Sequence, residues 1–208
     1  MEYLSIKESG KAKQNIRRSI FVGNAFYSDS EDMAKSFVKE MSEKHKTATH
    51  NCWAYKVMND GNIVSNFSDA GEPHGSAGKP IFSSIEKMNL LNITIIVTRY
   101  FGGVKLGVRG LIDAYKSTAL EALKNTALYD YSDGIKITFE TSYKNWDEFN
   151  RIFKENFDFI LNDSTFSENV KTTISLKKNF QKNIFSYFDK KNITISEEKN
   201  IIFIKKAK

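Results

Sequence analysis

Ile93-Thr-Ile-Ile-Val-Thr98, followed at once by Arg99-Tyr-Phe-Gly-Gly-Val-Lys-Leu-Gly-Val-Arg-Gly110, is the segment from which the fold is read. The first six residues are a continuous apolar run, the mark of a central strand covered on both faces. The glycines break that strand. From about Gly107 to Lys124, Leu111, Ala114, Tyr115, Thr118 and Leu123 recur at helical spacing. A central strand that leaves through a glycine loop into a helix places a ligand-binding position at the strand end.

A second window, Asp69-Ala-Gly-Glu-Pro-His-Gly-Ser-Ala-Gly-Lys-Pro80, has the same character, and Pro80 suits the first turn of a helix reaching about Met88. Most of the eleven glycines lie in these two windows, beside Lys79, Arg99, Lys105 and Arg109. Glycines let backbone N–H groups approach a ligand, and a helix start favours an anion. A phosphate-bearing partner is therefore the first expectation, with those four cations on phosphates and Gly102, Gly103, Gly107 and Gly110 shaping the loop. The alternative is a tight turn whose glycines only permit packing. The spacing is neither a Walker loop nor a dinucleotide fingerprint. Tyr100 or Phe101 would stack on unpaired bases. One ring is expected inside and one exposed, with the alternative that Arg99 pairs with Asp69, Glu72 or Asp113.

Elsewhere the pattern predicts strands at 3–7 and 15–26, and a helix over roughly 31–45 with Met33, Phe37, Val38 and Met41 inward. Strands 52–58 and 63–67 flank the turn signal Asn59-Asp-Gly-Asn62. Asn125–Gly134 reads as a linker. Beyond it strand 135–143, helix 146–155, strands 157–162 and 168–177, helix 179–190 and strands within 192–205 give a ferredoxin-like order. The expectation is an α+β protein of two domains, 1–128 and 129–208. Trp146, Phe149, Phe153, Phe157 and Phe159 are expected in the core of the second, with an RNA-stacking surface as the alternative.

The 208 residues carry a net charge of +6, spread over both halves, which helps polyanion binding without establishing it. One cysteine, Cys52, rules out an internal disulfide framework. No leader pattern is visible and no apolar run is long enough to cross a bilayer, so a cytoplasmic location without membrane attachment is expected. His50, Cys52 and His74 lack the paired spacings of a zinc site, and Cys52 reads as a small buried hydrophobe. No metal and no cofactor are expected. Asp69 and Glu72, with His50 or His74 nearby, are the residues from which an acid–base group would be built; solvated loop carboxylates explain them equally.

Thr49-His-Asn-Cys52, Phe67-Ser-Asp-Ala-Gly-Glu-Pro73, Gly75-Ser-Ala-Gly-Lys-Pro80 and Val97-Thr-Arg-Tyr-Phe-Gly-Gly-Val-Lys-Leu-Gly107, followed by Gly110-Leu111 and Ala114-Tyr115, resemble the YigZ/IMPACT family. The resemblance covers about residues 17–125. It implies an N-terminal domain folded like the second domain of a small-subunit ribosomal protein and domain IV of elongation factor G. The C-terminal unit resembles, by pattern alone, the ferredoxin-like second domain of bacterial members, which is similar to elongation factor G domain V. Eukaryotic relatives regulate translation through extra regions absent here; bacterial ones imply a nucleic-acid or ribosome connection without an established reaction. The chain departs from the family pattern at Ala70, where an acidic residue is common, at Ile20 and Asp113, where arginine is common, and at Val108-Arg109. Ser76 keeps the hydroxyl of the usual threonine and joins the candidate phosphate-binding residues.

These observations lead to a non-enzymatic protein that binds RNA or the ribosome in translation or its regulation, with a protein partner from the translation machinery also expected. The alternative is an enzyme acting on a phosphorylated small molecule through the same loops.

Overall fold

β6 (Ile93–Tyr100) is the middle of a five-stranded antiparallel sheet in the computed structural model, which describes residues 2–207. Around it stand β2 (Gly10–Ile16), β3 (Ser19–Tyr27), β4 (His50–Asn59) and β5 (Asn62–Ser68), in the order β2–β3–β6–β4–β5. Every residue of β6 from Ile93 to Arg99 is buried, as its unbroken apolar run predicts. Helices α2 (Gly78–Lys87) and α3 (Gly107–Lys124) cover one face. Ile81, Ile85, Leu111 and Tyr115 pack there against Phe21, Cys52, Ile95 and Val97. Helix α1 (Glu31–Lys44) lies on the other face, where Phe37 stacks on Phe26 with ring centroids 4.5 Å apart. Ser30 caps α1, accepting from the Met33 N–H. Short β1 (Glu2–Ile6) is tied at Leu4, whose carbonyl accepts from the Leu91 N–H.

Three expectations change here. The segment 15–26 is not one strand: Arg17 and Arg18, at φ 44° and 69°, turn it into the β2–β3 hairpin, with Ile16 opposite Ser19. Met33 is exposed, and Ala34 takes its place in the core because the helix is rotated toward its small residue. Asn125–Gly134 is no linker: β7 (Leu128–Thr141) begins inside it, with Tyr131 and Ser132 buried. Tyr129 and Tyr131 supply strand-forming residues there, which the exposed Asp130 and Asp133 mask.

Tyr3–Tyr129 and Asp130–Lys205 are two compact units. In the second, β7 is followed by α4 (Tyr143–Asn156), β8 (Phe159–Phe166), β9 (Val170–Lys177), α5 (Gln181–Lys191) and β10 (Ile195–Lys206). The strand order β10–β7–β9–β8 is that of the split βαβ pattern. Its core is aromatic: Phe149 lies 4.4 Å from Phe153 and Phe139 lies 4.5 Å from Phe188, centroid to centroid. Trp146 is buried with them, and Phe157 and Phe159 pack partly buried against the cluster. Among the described residues no helix is long and apolar enough to cross a membrane.

Two glycines permit the close approach of α3 to the sheet. A Cβ on Gly10 would stand 2.1 Å from the Ala122 carbonyl oxygen, and one on Gly23 would stand 2.9 Å from that of Thr118. Gly10→Val should therefore lower stability by about 1–3 kcal/mol or more through overpacking. Gly61→Asn, in the open β4–β5 turn, should lie close to the parent in chemical unfolding, since asparagine tolerates its left-handed backbone.

Candidate nucleic-acid interface

Both glycine loops leave the sheet at the same end. Trp53 pairs with Ser68 and His50 with Arg99, so the exits of β5 and β6 lie beside the start of β4. Ile20 opposite Tyr100 brings the β2–β3 turn to that end as well. The loops are joined by side chains. Glu72 Oε1 accepts from Arg99 Nη1 at 2.8 Å and from the Tyr115 hydroxyl at 2.7 Å, all three residues being buried. Arg99 also donates from Nη2 to Ser19 Oγ at 3.4 Å. Strand alternation sends Arg99 to the α2/α3 face, so it is an internal ion-pair partner and not the surface phosphate ligand expected. The pairing with Glu72 is the alternative weighed from the sequence.

The first loop closes on its own anion. Asp69 accepts from the N–H groups of Gly75 at 2.8 Å, Ala77 at 3.0 Å and Gly78 at 2.8 Å, and so caps the start of α2. Burial would raise the Asp69 pKa, but these three donors outweigh it and hold the carboxyl below its usual value. Ser76 is fully buried and donates to the Pro73 carbonyl at 2.6 Å, so its hydroxyl is engaged within the loop instead of facing a ligand. The amides expected to cradle phosphate are thus occupied by a carboxylate six to nine residues upstream.

His50 Nδ1–H donates to the Ala70 carbonyl at 2.9 Å, which leaves Nε2 facing Glu72 Oε2 at 3.9 Å. Cys52 donates to the Asp69 carbonyl at 2.9 Å, and burial pushes its thiol pKa up to about 12, so it stays protonated. Burial, together with neighbouring Cys52 and Glu72, also raises the Tyr115 pKa. His50, Asp69 and Glu72, the acid–base candidates, therefore all hold the loop in place. Among the described residues no three His, Cys, Asp or Glu side chains gather as a metal-binding group.

The second loop is different. Gly103 and Gly107 adopt φ of 82° and 74°, and a Cβ on Gly102 would stand 1.9 Å from the Arg18 carbonyl oxygen. The start of α3 has no side-chain cap and no acidic residue in its first turn. Lys105 and Arg109 are exposed, as is Lys79 on the first turn of α2; among the described residues none of the three has an ion pair. Phe101 is 46% exposed, whereas Tyr100 is half-buried and its hydroxyl lies 2.8 Å from His45 Nδ1. Gly110 packs against Leu106, its notional Cβ 3.1 Å from that residue's Cβ.

Two cations were missed in the sequence. Arg17 and Arg18, both exposed, sit on the tight turn that rests against Gly102, and Arg17 shares an open depression of about 400 Å³ with Leu106, Gly110 and Asp113. Their signal was only the Arg-Arg pair itself, inside what read as a strand.

Fold and site together define an α+β protein of two units, with two cross-linked glycine loops at one sheet end. The Impact N-terminal domain family model matches residues 17–123, and the chain belongs to the IMPACT family. The chain is similar to IMPACT family member YvyE of Bacillus subtilis, 36% identical over 128 residues, 62% of this chain and 58% of the relative. It is also similar to IMPACT family member YigZ of Escherichia coli, 32% identical over 132 residues, 62% of this chain and 64% of that one. The matched region thus spans less than two thirds of either relative. A crystal structure described only as a hypothetical protein shares the fold, with a TM-score of 0.62 at 24% identity, over 93% of this chain and 96% of that chain.

Removing the Glu72 carboxylate leaves a buried guanidinium without counter-charge. Glu72→Ala should lower stability by about 3–5 kcal/mol, read as a reduced denaturant midpoint. Asp69 should govern part of the acid limb. Its carboxyl is held below its unfolded value, so its stabilisation is present at neutral pH and lost as pH falls through the folded value. Asp69→Asn should therefore be less stable at neutral pH and show a shallower decline in acid.

Proposed function

We propose that this protein binds single-stranded RNA, on its own or within the ribosome, and acts in translation or its regulation. One observation carries the reading: the uncapped start of α3 faces solvent between exposed Lys105 and Arg109, beside the Arg17-Arg18 turn. The phosphate contacts proposed are Arg17, Arg18, Lys105 and Arg109, with Lys79 on the neighbouring helix start. Phe101 is the proposed stacking ring, and Arg99 shapes the site from beneath it, its guanidinium carbon 5.2 Å from the ring centroid. A kinship of the two units with domains IV and V of elongation factor G belongs to the same proposal, as does autonomous folding of 1–128 and 129–208. Resemblance to a family with translation regulators among its eukaryotic members supports the translational setting; fold kinship alone does not decide function.

The depression beside Arg17 supports a second reading, an enzyme acting on a phosphorylated small molecule, because its volume suits such a ligand. Binding to a single-stranded oligonucleotide, measured across salt, separates the two. Each phosphate contact should contribute roughly −0.7 to the slope of log affinity against log salt. Arg17→Ala, Lys105→Ala and Arg109→Ala should each flatten the slope by about that amount and weaken all sequences alike. Phe101→Ala should cost about 1–3 kcal/mol of binding with the slope unchanged. Salt-independent RNA binding would overturn the first reading, and thermal stabilisation by one sugar phosphate without RNA binding would favour the second.

A further inference from the structure

We propose that β5 is a self-association edge, at which a second copy of this chain adds its own β5 antiparallel, centred on Ser65. The two edges of the first unit's sheet differ in character. β2 carries exposed Lys11 and Lys13, the kind of charge that keeps an edge from pairing. β5, Asn62-Ile-Val-Ser-Asn-Phe-Ser68, has no charge and no proline. Ile63 is 57% exposed and Phe67 43%.

Backbone direction selects the register. Asp60 and Gly61, at φ 48° and 81°, close a two-residue turn with Asn59 opposite Asn62. The pair flanking such a turn is hydrogen-bonded, so Asn62, Val64, Asn66 and Ser68 direct their backbone groups to β4. Ile63, Ser65 and Phe67 direct theirs outward. Phe67 bears this out: its N–H donates to the adjacent Asn66 side chain at 2.8 Å, not to a strand.

A two-fold axis at Ser65 places Ser65 opposite itself and Ile63 opposite Phe67 on both sides. The three outward residues of each copy then exchange six N–H···O=C bonds. The Ile63–Phe67 pairs fall on the face where Phe67 already stacks on Phe82 of α2, with centroids 5.8 Å apart. Val64 meets Asn66 and Asn62 meets Ser68 on the other face. A slip of one residue would bring inward-directed groups to the seam and lose the ladder. The occupant follows from the pattern: the outward residues run apolar, polar, apolar (Ile63, Ser65, Phe67), so a second copy turned about Ser65 matches apolar to apolar at both ends, and the uncharged strand opposes no like charges at the seam. This inference stands apart from the RNA reading, since the two use different surfaces.

Sedimentation velocity of the full chain, from low micromolar to several hundred micromolar, should show a concentration-dependent dimer. Ser65→Pro removes one outward N–H while leaving the β4 ladder intact, and should give a folded monomer with an unchanged circular dichroism spectrum. Phe67→Lys should do the same by placing charge at the seam. Ser65→Cys should be joined to its counterpart by a short bis-maleimide, because Cα atoms of a hydrogen-bonded antiparallel pair lie about 5.5 Å apart. The native Cys52 is buried and should stay silent. Asn62→Cys lies away from the axis and should not cross-link to its counterpart. A monomer at every concentration would overturn the proposal. A dimer indifferent to both Ser65→Pro and Phe67→Lys, or cross-linking at Asn62 equal to that at Ser65, would do so too.

Discussion

The carboxylate of Glu72 is the point on which the first unit's functional end depends. It joins three elements distant in sequence: the first glycine loop that carries it, β6 through Arg99, and α3 through Tyr115. An ion pair taken out of water gains little over an apolar contact of the same shape, because desolvation offsets attraction. What it adds here is orientation. Once Arg99 is turned inward, strand alternation sends Tyr100 to the opposite face, against His45, and Phe101 emerges into solvent. The second loop begins from that fixed point, so its exposed ring and cations are positioned by a buried contact.

Periodicity made most of the architecture legible. β6, α3 and the Asp60-Gly61 turn each follow from a strong local pattern: an unbroken apolar run, helical recurrence and a glycine at positive φ. The β2–β3 hairpin lacks such a signal. Two arginines in the left-handed region cost roughly 1–2 kcal/mol each and are not a turn that composition suggests. The turn persists because the strands on both sides pair in full register and Gly102 lets the Arg18 carbonyl come close. That compensation is tertiary. Met33 and Ala34 make the same point: the apolar stripe was found, but its exact centre depended on how closely α1 approaches the sheet.

The site was legible as an anion-binding pattern and not as to whose anion it binds. Glycine-rich sequence before a helix start has one chemistry, N–H groups and a positive dipole end in need of negative charge. At α2 the chain supplies that charge from Asp69, and neither composition nor spacing distinguishes an internal carboxylate from an external phosphate. Arg99 is similar. Glu72 was among its candidate partners, yet only the fold brings residues twenty-seven positions apart into a buried pair.

The contrast between the two helix starts carries the functional proposal furthest. Both lie at one sheet end, both follow glycine loops, and the same buried cluster steadies both. One is closed by Asp69; the other has no acidic residue in its first turn, and Asp113 comes only later in α3. Two of the non-glycine residues held at positive φ, Arg17 and Arg18, also stand beside the open start. Strain persists where surrounding structure over-determines it, and the sound inference runs from the outlier to a functional hypothesis. A turn of two arginines held against its conformational preference adds fixed charge next to unclaimed amides. In the reading proposed above, a phosphate chain would satisfy those amides and the guanidinium groups together.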